Sequence, residues 1–250
     1  MNLFSGFIAI KTAFMDGEYE KAGWFIVLGV LFDTLDGFMA RLTHSASEFG
    51  VELDSLADVV TFGVAPSAII YKLYFYQFET FGILIAALPA ICGALRLARF
   101  NVQLVGFDKD YFKGLPIPSA ALLIVSFVTF HFRKLEPAFI SQDQFNILMF
   151  VVVIGSSLMM VSTVKYETLP KFSGRAIKAE PLKFIIVLIG IILCIVTKGS
   201  AIFTLFLIFI LFGLIRAIIV RLKKVIRERR AAALFDEEEL EKEEKSTFGI

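Results

Sequence analysis

The chain has 250 residues, of which 57% are hydrophobic and 14% aromatic, and its mean hydropathy is +0.77. Because soluble domains are roughly half apolar, this composition excludes an ordinary soluble protein and predicts an integral membrane protein with several spans. The formal net charge of +1 indicates no particular partner, since the charged residues are segregated between apolar runs and in the C-terminal tail. No segment carries a nucleic-acid-binding signature, so we expect no nucleic acid partner.

Apolar segments recur along the whole chain and predict about eight transmembrane helices. They lie at residues 1–15, 22–42, 54–76, 80–103, 115–132, 145–164, 182–197 and 200–220. The sequence therefore predicts an all-α, polytopic membrane fold. Residues 1–220 would form the membrane-embedded domain and residues 221–250 a charged cytoplasmic tail. We interpret the tail as a solvated helix; the alternative is a helix whose basic half lies on anionic lipid.

The distribution of lysine and arginine predicts the orientation of these helices. Basic residues concentrate around alternate connections, at residues 42–53, 100–114 and 165–183, and in the tail. Cytoplasmic connections carry the excess of lysine and arginine in membrane proteins. We therefore expect a protein of the cytoplasmic membrane with both termini, and the acidic cluster described next, on the cytoplasmic side.

Four aspartates occur in the segment DTLDGFMARLTHSASEFGVELDSLAD, residues 33–58. Residues three, four, seven and eight apart share one face of a helix. Asp33 and Asp36 therefore lie on one stripe near the end of the second span, and Asp54 and Asp58 on another at the start of the third. Because the connection between the two helices is short, we expect them to be antiparallel neighbours whose stripes face each other.

Four facing carboxylates repel one another unless cations neutralise them. Oxygen ligands suit hard divalent ions such as Mg²⁺, Mn²⁺ or Ca²⁺, and a pair of such ions would clamp a pyrophosphate. Gly37 and Ala40 remove side-chain bulk where a substrate must approach the helix, and Arg41 offers a planar fork to a phosphate. A cation transporter is the alternative from another functional class.

The spacing D-x2-D-G-x2-A-R-x8-G-x3-D-x3-D resembles the signature of the CDP-alcohol phosphatidyltransferase family. Every fixed position is filled, by Asp33, Asp36, Gly37, Ala40, Arg41, Gly50, Asp54 and Asp58. Four further segments resemble the phosphatidylserine synthase branch of that family: FGVELDSLADVVTFGVAP (49–66), GALRLARFNV (93–102), KGLPIPSAA (113–121) and LMMVSTVKY (158–166). An eight-span layout also fits that branch.

The resemblance implies a CDP-diacylglycerol–serine O-phosphatidyltransferase, an enzyme that converts CDP-diacylglycerol and L-serine into phosphatidylserine and CMP. It also implies two bound divalent cations, Mg²⁺ or Mn²⁺ with Ca²⁺ at one site as an option, and a homodimer. Carried over to this chain, the metal ligands are Asp33, Asp36, Asp54 and Asp58. Asp58 would also act as general base, and the CDP site would be lined by Asp33, Gly37, Ala40, Arg41 and Gly50.

An enzyme that selects serine must also bind the amino acid's carboxylate. Arg96 and Arg99 are the best candidates for this pocket, and anchoring of the span at the membrane surface is the alternative interpretation. Other family members with the same chemistry stay open, namely enzymes of glycerol-phosphate or inositol-phosphate transfer, or an archaeal version that transfers an ether lipid to serine. Family members usually carry a further polar stretch before NLFSGFIAI, and Asn2 is the member of that polar set present here.

Overall fold

The computed structural model describes residues 1–43, 47–104, 111–131, 141–167 and 181–247. Within these ranges the chain forms nine α-helices and one pair of short strands. The helices are α1 (Asn2–Lys11), α2 (Tyr19–Leu42), α3 (Glu48–Asp58), α4 (Ala65–Leu73), α5 (Glu79–Leu104), α6 (Ile117–Ser126), α7 (Gln142–Val161), α8 (Pro181–Val196) and α9 (Ser200–Thr247); the strands are β1 (Tyr111–Lys113) and β2 (Lys165–Glu167).

Several helices are extended by short turns of other helical types. A π-helical segment, Val59–Val64, joins α3 to α4, so the chain is helical without a break from Glu48 to Leu73. Similar π-helical segments, Thr12–Asp16 and Phe127–His131, follow α1 and α6. Such segments commonly occur at functional sites, and Val59–Val64 follows directly on Asp58.

Five helical stretches among the described residues are long and apolar enough to cross a membrane. They are Tyr19–Met39, Glu48–Leu73, Phe75–Val102, Asp143–Val161 and Ser200–Lys223. Two shorter apolar helices, Ile117–Phe130 and Val187–Val196, accompany them. The prediction of an all-α polytopic membrane protein is thus confirmed, and the count of eight spans stays a prediction.

The third predicted span begins earlier than its apolar run indicated. Helix α3 starts at Glu48 rather than near residue 54, because Ser47 caps it. The Ser47 hydroxyl accepts a hydrogen bond of 3.0 Å from the backbone N–H of Gly50. A serine cap satisfies one of the free N–H groups at a helix start, so residues 48–53 belong to α3 together with its two aspartates.

Helix α6 lies at the centre of a group of helices. Almost every residue from Ala120 to Val128 is buried, and the helix packs against α2, α4, α5 and α7. A short helix that is apolar on all sides is expected in such a place because no face of it needs water. The surrounding helices then present their outer apolar faces to lipid.

The two strands form a small antiparallel ladder beside the end of α7. Gly114, which follows β1, has φ +85° and donates its N–H to the Val164 carbonyl at 2.8 Å. A Cβ at this position would collide with the backbone of Met160, so only glycine fits here. Tyr166 on β2 is buried against Phe209, and this burial raises its pKa to about 12, so its hydroxyl stays neutral.

The chain divides into two units, Met1–Ile210 and Leu211–Ile250. The first contains the helices and strands up to the start of α9. The second continues α9 as far as Thr247 and carries a basic stretch, residues 221–230, followed by an acidic one, residues 236–244. The predicted tail is therefore helical over its described residues; its solvation stays a prediction, with contact between its basic half and lipid as the alternative.

Candidate active site

Three of the four aspartates converge between α2 and α3. One carboxylate oxygen from each of Asp33, Asp54 and Asp58 lies within 4.8 Å of the other two. Asp33 comes from the last turns of α2, and the other two lie one turn apart on α3. Helices α2 and α3 thus bring the first, third and fourth aspartates of the signature together.

The fourth carboxylate, Asp36, stands beside this group rather than within it. Its side chain is exposed, and one oxygen lies 3.8 Å from the amino group of Met1. Its charge still acts on Asp33 and Asp54. Asp36 therefore adds negative potential at the open side of the cluster.

The cluster becomes more buried from Asp54 towards Asp58. Asp54 is exposed and Asp33 half-buried, whereas Asp58 is only 8% exposed. Arg96 on α5 is also buried, at 6% exposed, and its charge acts on Asp58. A molecule entering from the Asp54 side would meet Asp58 and the positive charge of Arg96 at the inner end.

Asn2 is a site residue that the aspartate pattern did not reveal. Its side-chain Nδ2 donates a hydrogen bond of 2.8 Å to Oδ1 of Asp58, and the asparagine is only 2% exposed. Its Oδ1 atom is buried and has no hydrogen-bond partner among the described residues. The sequence does contain a signal, because the buried face of α1 repeats small or polar residues at helical spacing, as a closely packed membrane helix requires. That face comprises Asn2, Ser5, Gly6 and Ala9.

We call the place where α1, α2 and the segment after α3 meet the polar crossing, formed by Asn2, Ser5, Gly6, Gly29 and Thr61. The backbone carbonyl of Asn2 accepts hydrogen bonds from the hydroxyls of Ser5, at 2.7 Å, and Thr61, at 3.0 Å. A Cβ on Gly29 would lie 2.6 Å from Cγ2 of Thr61, and one on Gly6 would lie 2.7 Å from the Cα of Thr61. Glycine at both positions lets the three segments approach closely enough for Asn2 to reach Asp58.

The remaining signature residues flank the cluster along the two helices. Gly37 is half-buried on α2, and Gly50 lies in the first turn of α3. Ala40 and Arg41 belong to the last turns of α2, and their side chains lie outside the described part of the structure. Helices α2 and α3 therefore carry these four residues as well as the aspartates.

Arg99 contacts the protein's own backbone. Its guanidinium donates to the carbonyl oxygens of Val161, at 2.9 Å, and Ser162, at 3.2 Å. These carbonyl groups lie at the C-terminal end of α7, where no following turn of the helix supplies N–H donors to them. Arg99 therefore ties α5 to the end of α7, a contact that the serine-pocket prediction did not foresee.

Asn101 forms a second polar contact between α5 and α3. Its amide donates to the Ser55 hydroxyl at 3.0 Å and to Oε2 of Glu52 at 3.3 Å. Ser55 follows Asp54 directly in the chain. This contact holds α5 against the helix that supplies two of the three clustered carboxylates.

The donor set fits a hard divalent cation. Ligand oxygens on opposite sides of Mg²⁺ are about 4.2 Å apart, and those around Ca²⁺ about 5 Å apart, which matches carboxylate oxygens within 4.8 Å of one another. The unpartnered Oδ1 of Asn2 provides a further buried oxygen beside them. Carboxylates this close repel one another, and burial strengthens the repulsion, so a bound cation would stabilise the charged form of all three.

These features define a helical membrane protein with a carboxylate centre suited to a divalent cation and an anionic substrate. The family model for CDP-alcohol phosphatidyltransferase matches residues 1–154. The chain belongs to the CDP-alcohol phosphatidyltransferase family, and the prediction made from its aspartate signature is confirmed.

Curated relatives indicate which branch of the family the chain is similar to. The chain is 37% identical over 240 residues to a CDP-diacylglycerol–serine O-phosphatidyltransferase of Helicobacter pylori J99, covering 92% of this chain and 96% of the relative. It is 34% identical over 178 residues to the protein of that name from Bacillus subtilis, covering 71% and 92%. It is also 40% identical over 177 residues to an archaetidylserine synthase of Methanothermobacter thermautotrophicus, covering 70% and 68%. These names match the branch that the sequence resembles.

Proposed function

We propose that the chain transfers the phosphatidyl group of CDP-diacylglycerol to the hydroxyl of L-serine, giving phosphatidylserine and CMP. One observation carries the proposal: the carboxylates of Asp33, Asp54 and Asp58 meet within 4.8 Å on the two helices of the family signature. The similarity to serine-specific relatives over nearly the whole chain supports serine as the acceptor.

In the proposed reaction the serine hydroxyl attacks the β-phosphorus of the CDP-lipid directly. A bond forms between the serine oxygen and this phosphorus, and the bond from the phosphorus to the bridging oxygen breaks, so that CMP leaves with that oxygen. The hydroxyl proton passes to a carboxylate of the protein. We assign this general-base role to Asp58, because it is the most buried of the clustered carboxylates and lies at the inner end of the site.

Asp33, Asp54 and Asp58, with Asp36 beside them, would hold two divalent cations, Mg²⁺ or Mn²⁺, with Ca²⁺ at one position as an option. Bound cations neutralise a pyrophosphate and stabilise the charge on its leaving oxygen. The protein's own contribution is to fix the carboxylates on two helices before substrate arrives. Rigid placement of this kind is what makes electrostatic stabilisation effective.

The substrate contacts follow the geometry of the same helices. Gly37, Ala40, Arg41 and Gly50, together with Asp33, would line the CDP site. For the carboxylate of serine we favour Arg96, because its buried charge acts at Asp58. Arg99 is the second candidate, although two of its N–H groups already bind the end of α7.

The proposal places the protein in the cytoplasmic membrane, with both termini and the aspartates facing the cytoplasm, where CDP-lipid headgroups and free serine would meet. This orientation rests on the lysine and arginine of alternate connections. The protein would act as a homodimer, as the family resemblance implies.

The test is release of CMP from CDP-diacylglycerol by the purified chain, with and without L-serine, in Mn²⁺ or Mg²⁺ and in EDTA. We expect release that requires both serine and metal. Glycerol 3-phosphate and inositol phosphate serve as control acceptors, and product with either of them but none with serine would exclude the proposed acceptor. Metal flux into liposomes without any CDP-lipid would instead favour a cation transporter.

The similarity to an archaetidylserine synthase makes a second type of CDP-lipid an alternative donor. Both classes of relative transfer to serine by name and differ in the lipid backbone. Giving the chain CDP-diacylglycerol and its ether-linked analogue in equal amounts would separate them. The proposal predicts faster CMP release from the ester-linked donor.

A further inference from the structure

We propose that Asn2 is a positioning residue that fixes the orientation of the Asp58 carboxyl group. The inference rests on the proposed function, because it concerns the carboxylate to which that function assigns the base role. It adds a residue of α1, outside the aspartate signature, to the machinery of the site.

The hydrogen bond between the two side chains is buried at both ends. Nδ2 of Asn2 lies 2.8 Å from Oδ1 of Asp58, and the residues are 2% and 8% exposed. The negative carboxylate selects the NH₂ end of the amide, since a reversed amide would point one acceptor at another. A hydrogen bond to a charged group is stronger than one between neutral groups, so the pair has one favoured arrangement.

The backbone of Asn2 is itself held in place. Its carbonyl oxygen accepts from Ser5 and from Thr61, and Thr61 lies three residues after Asp58 on the same continuous helical segment. The position of Asn2 is thereby fixed relative to the backbone that carries Asp58. A donor anchored in this way restricts rotation of the carboxyl group more than a donor on a free side chain.

The neighbouring charges explain why Asp58 needs such a partner. Asp33 and Asp54 both act on it electrostatically, and their repulsion favours rotation of the Asp58 carboxyl group away from the cluster. The hydrogen bond from Asn2 opposes that rotation without adding a charge. Residues that orient a metal ligand or base in this manner commonly contribute about 10–100-fold to metal affinity or activity.

The experiment compares the full chain with two variants. Asn2→Leu removes the amide and keeps a γ-branched side chain, and Asn2→Asp keeps the shape of asparagine but replaces the donor with a like charge. We expect kcat for serine-dependent CMP release to fall about 10–100-fold in both, with KM for CDP-diacylglycerol changed less than about twofold. A KM effect of the same size as the kcat effect would overturn the positioning role.

The matched control is Thr129→Val, which also removes a buried hydrogen-bonding group in a residue 2% exposed. Thr129 lies beside Gly23, and ten residues of α2 place it about 15 Å along the helix from Asp33. We expect wild-type kcat from this variant. Equal losses in Thr129→Val and the Asn2 variants, or wild-type kcat in the folded Asn2→Asp variant, would contradict the inference.

A second readout needs no turnover. Binding of Mn²⁺ alone, followed by electron paramagnetic resonance of the free ion, should be about tenfold or more weaker in Asn2→Leu than in the wild type. If the wild-type chain releases no CMP with serine, the proposed function fails, and this titration still tests the role of Asn2. Unchanged Mn²⁺ affinity in a folded Asn2→Leu protein would overturn it.

Discussion

The polar crossing and an aromatic cluster at the far end of the continuous helix Glu48–Leu73 stabilise the structure in opposite ways. The aromatic cluster comprises Tyr74, Phe75, Phe78, Phe145 and Phe150, whose ring centroids lie 5.0–6.4 Å from their neighbours. The thirteen residues from Thr61 to Tyr74 place the two regions about 20 Å apart along the helix. The crossing uses glycines and hydroxyls, whereas the cluster uses bulky rings.

The difference shows how a polar site is built inside a membrane protein. Rings fill volume and gain stability from contact alone, but they keep helix backbones apart. Small residues let backbones approach, so that short side chains such as those of Asn2 and Asp58 can meet. The crossing should therefore be sensitive to added bulk and to lost donors, and the aromatic cluster mainly to lost volume.

The largest expected effect is at the inner carboxylate. Asp58→Asn should lower kcat about 10²–10⁴-fold, the usual contribution of a general base, while CMP still binds and Mn²⁺ affinity falls by about tenfold or more, as in Asn2→Leu. Serine-dependent CMP release and Mn²⁺ binding measure the two parts. Asp16→Asn, which removes an exposed partner of Lys11, is the control and should leave both unchanged. Near wild-type turnover in Asp58→Asn would remove Asp58 from the base role.

The outer carboxylates should act on metal binding itself. Asp33→Ala or Asp54→Ala removes a proposed direct ligand, so Mn²⁺ affinity should fall by more than the about 10–100-fold typical of changes beyond the direct ligands. Titration with Mn²⁺ alone tests this without turnover. The account predicts a smaller loss for Asp36→Ala, since Asp36 lies outside the group of oxygens within 4.8 Å. An equal loss in Asp36→Ala would contradict this division.

The glycines of the crossing allow a matched pair of variants. Gly29→Ala would place a Cβ 2.6 Å from Thr61 and 2.8 Å from the Ser5 hydroxyl, so overpacking should cost about 1–3 kcal/mol. Gly155→Ala on α7 meets nothing within 4 Å and should leave stability equal or higher by about 0.5–1 kcal/mol. Thermal unfolding in detergent compares them, and equal melting temperatures would argue against a close crossing.

The smallest effect concerns the aromatic cluster. Burial raises the pKa of Tyr74, so its hydroxyl stays protonated and donates to Oδ1 of Asn146 at 2.7 Å. Tyr74→Phe removes this bond and keeps the ring, at a cost of about 1 kcal/mol. CMP release and Mn²⁺ affinity should not change, because the clustered aspartates lie towards the other end of the continuous helix Glu48–Leu73. A loss of Mn²⁺ affinity would show that the two regions are coupled.

The same contrast explains what could be predicted from the sequence. The register of Asp54 and Asp58 follows from helical spacing, and the apolar runs give the membrane helices, because both are local properties of the chain. Membership of the family followed from the fixed spacing of the signature. These predictions needed no knowledge of how distant segments pack.

Predictions that depend on packing between distant segments were incomplete. The bond from Asn2 to Asp58 joins residues 56 positions apart, and the carbonyl contacts of Arg99 depend on where α7 ends. The start of α3 at Glu48 was missed because a serine cap, rather than the apolar run, determines it. The relation of Asp36 to the other aspartates depends on the angle between two helices, which spacing within one helix does not determine.

The most direct test of the account is transfer of labelled L-serine into lipid by the full chain in nanodiscs containing CDP-diacylglycerol, with Mn²⁺ titrated from zero. The wild type is compared with the triple variant Asp33→Asn, Asp54→Asn, Asp58→Asn, matched for melting temperature. The account predicts labelled phosphatidylserine that saturates with Mn²⁺ in the wild type and none in the triple variant. Transfer by the folded triple variant, or none by the wild type at any Mn²⁺ concentration, would contradict it.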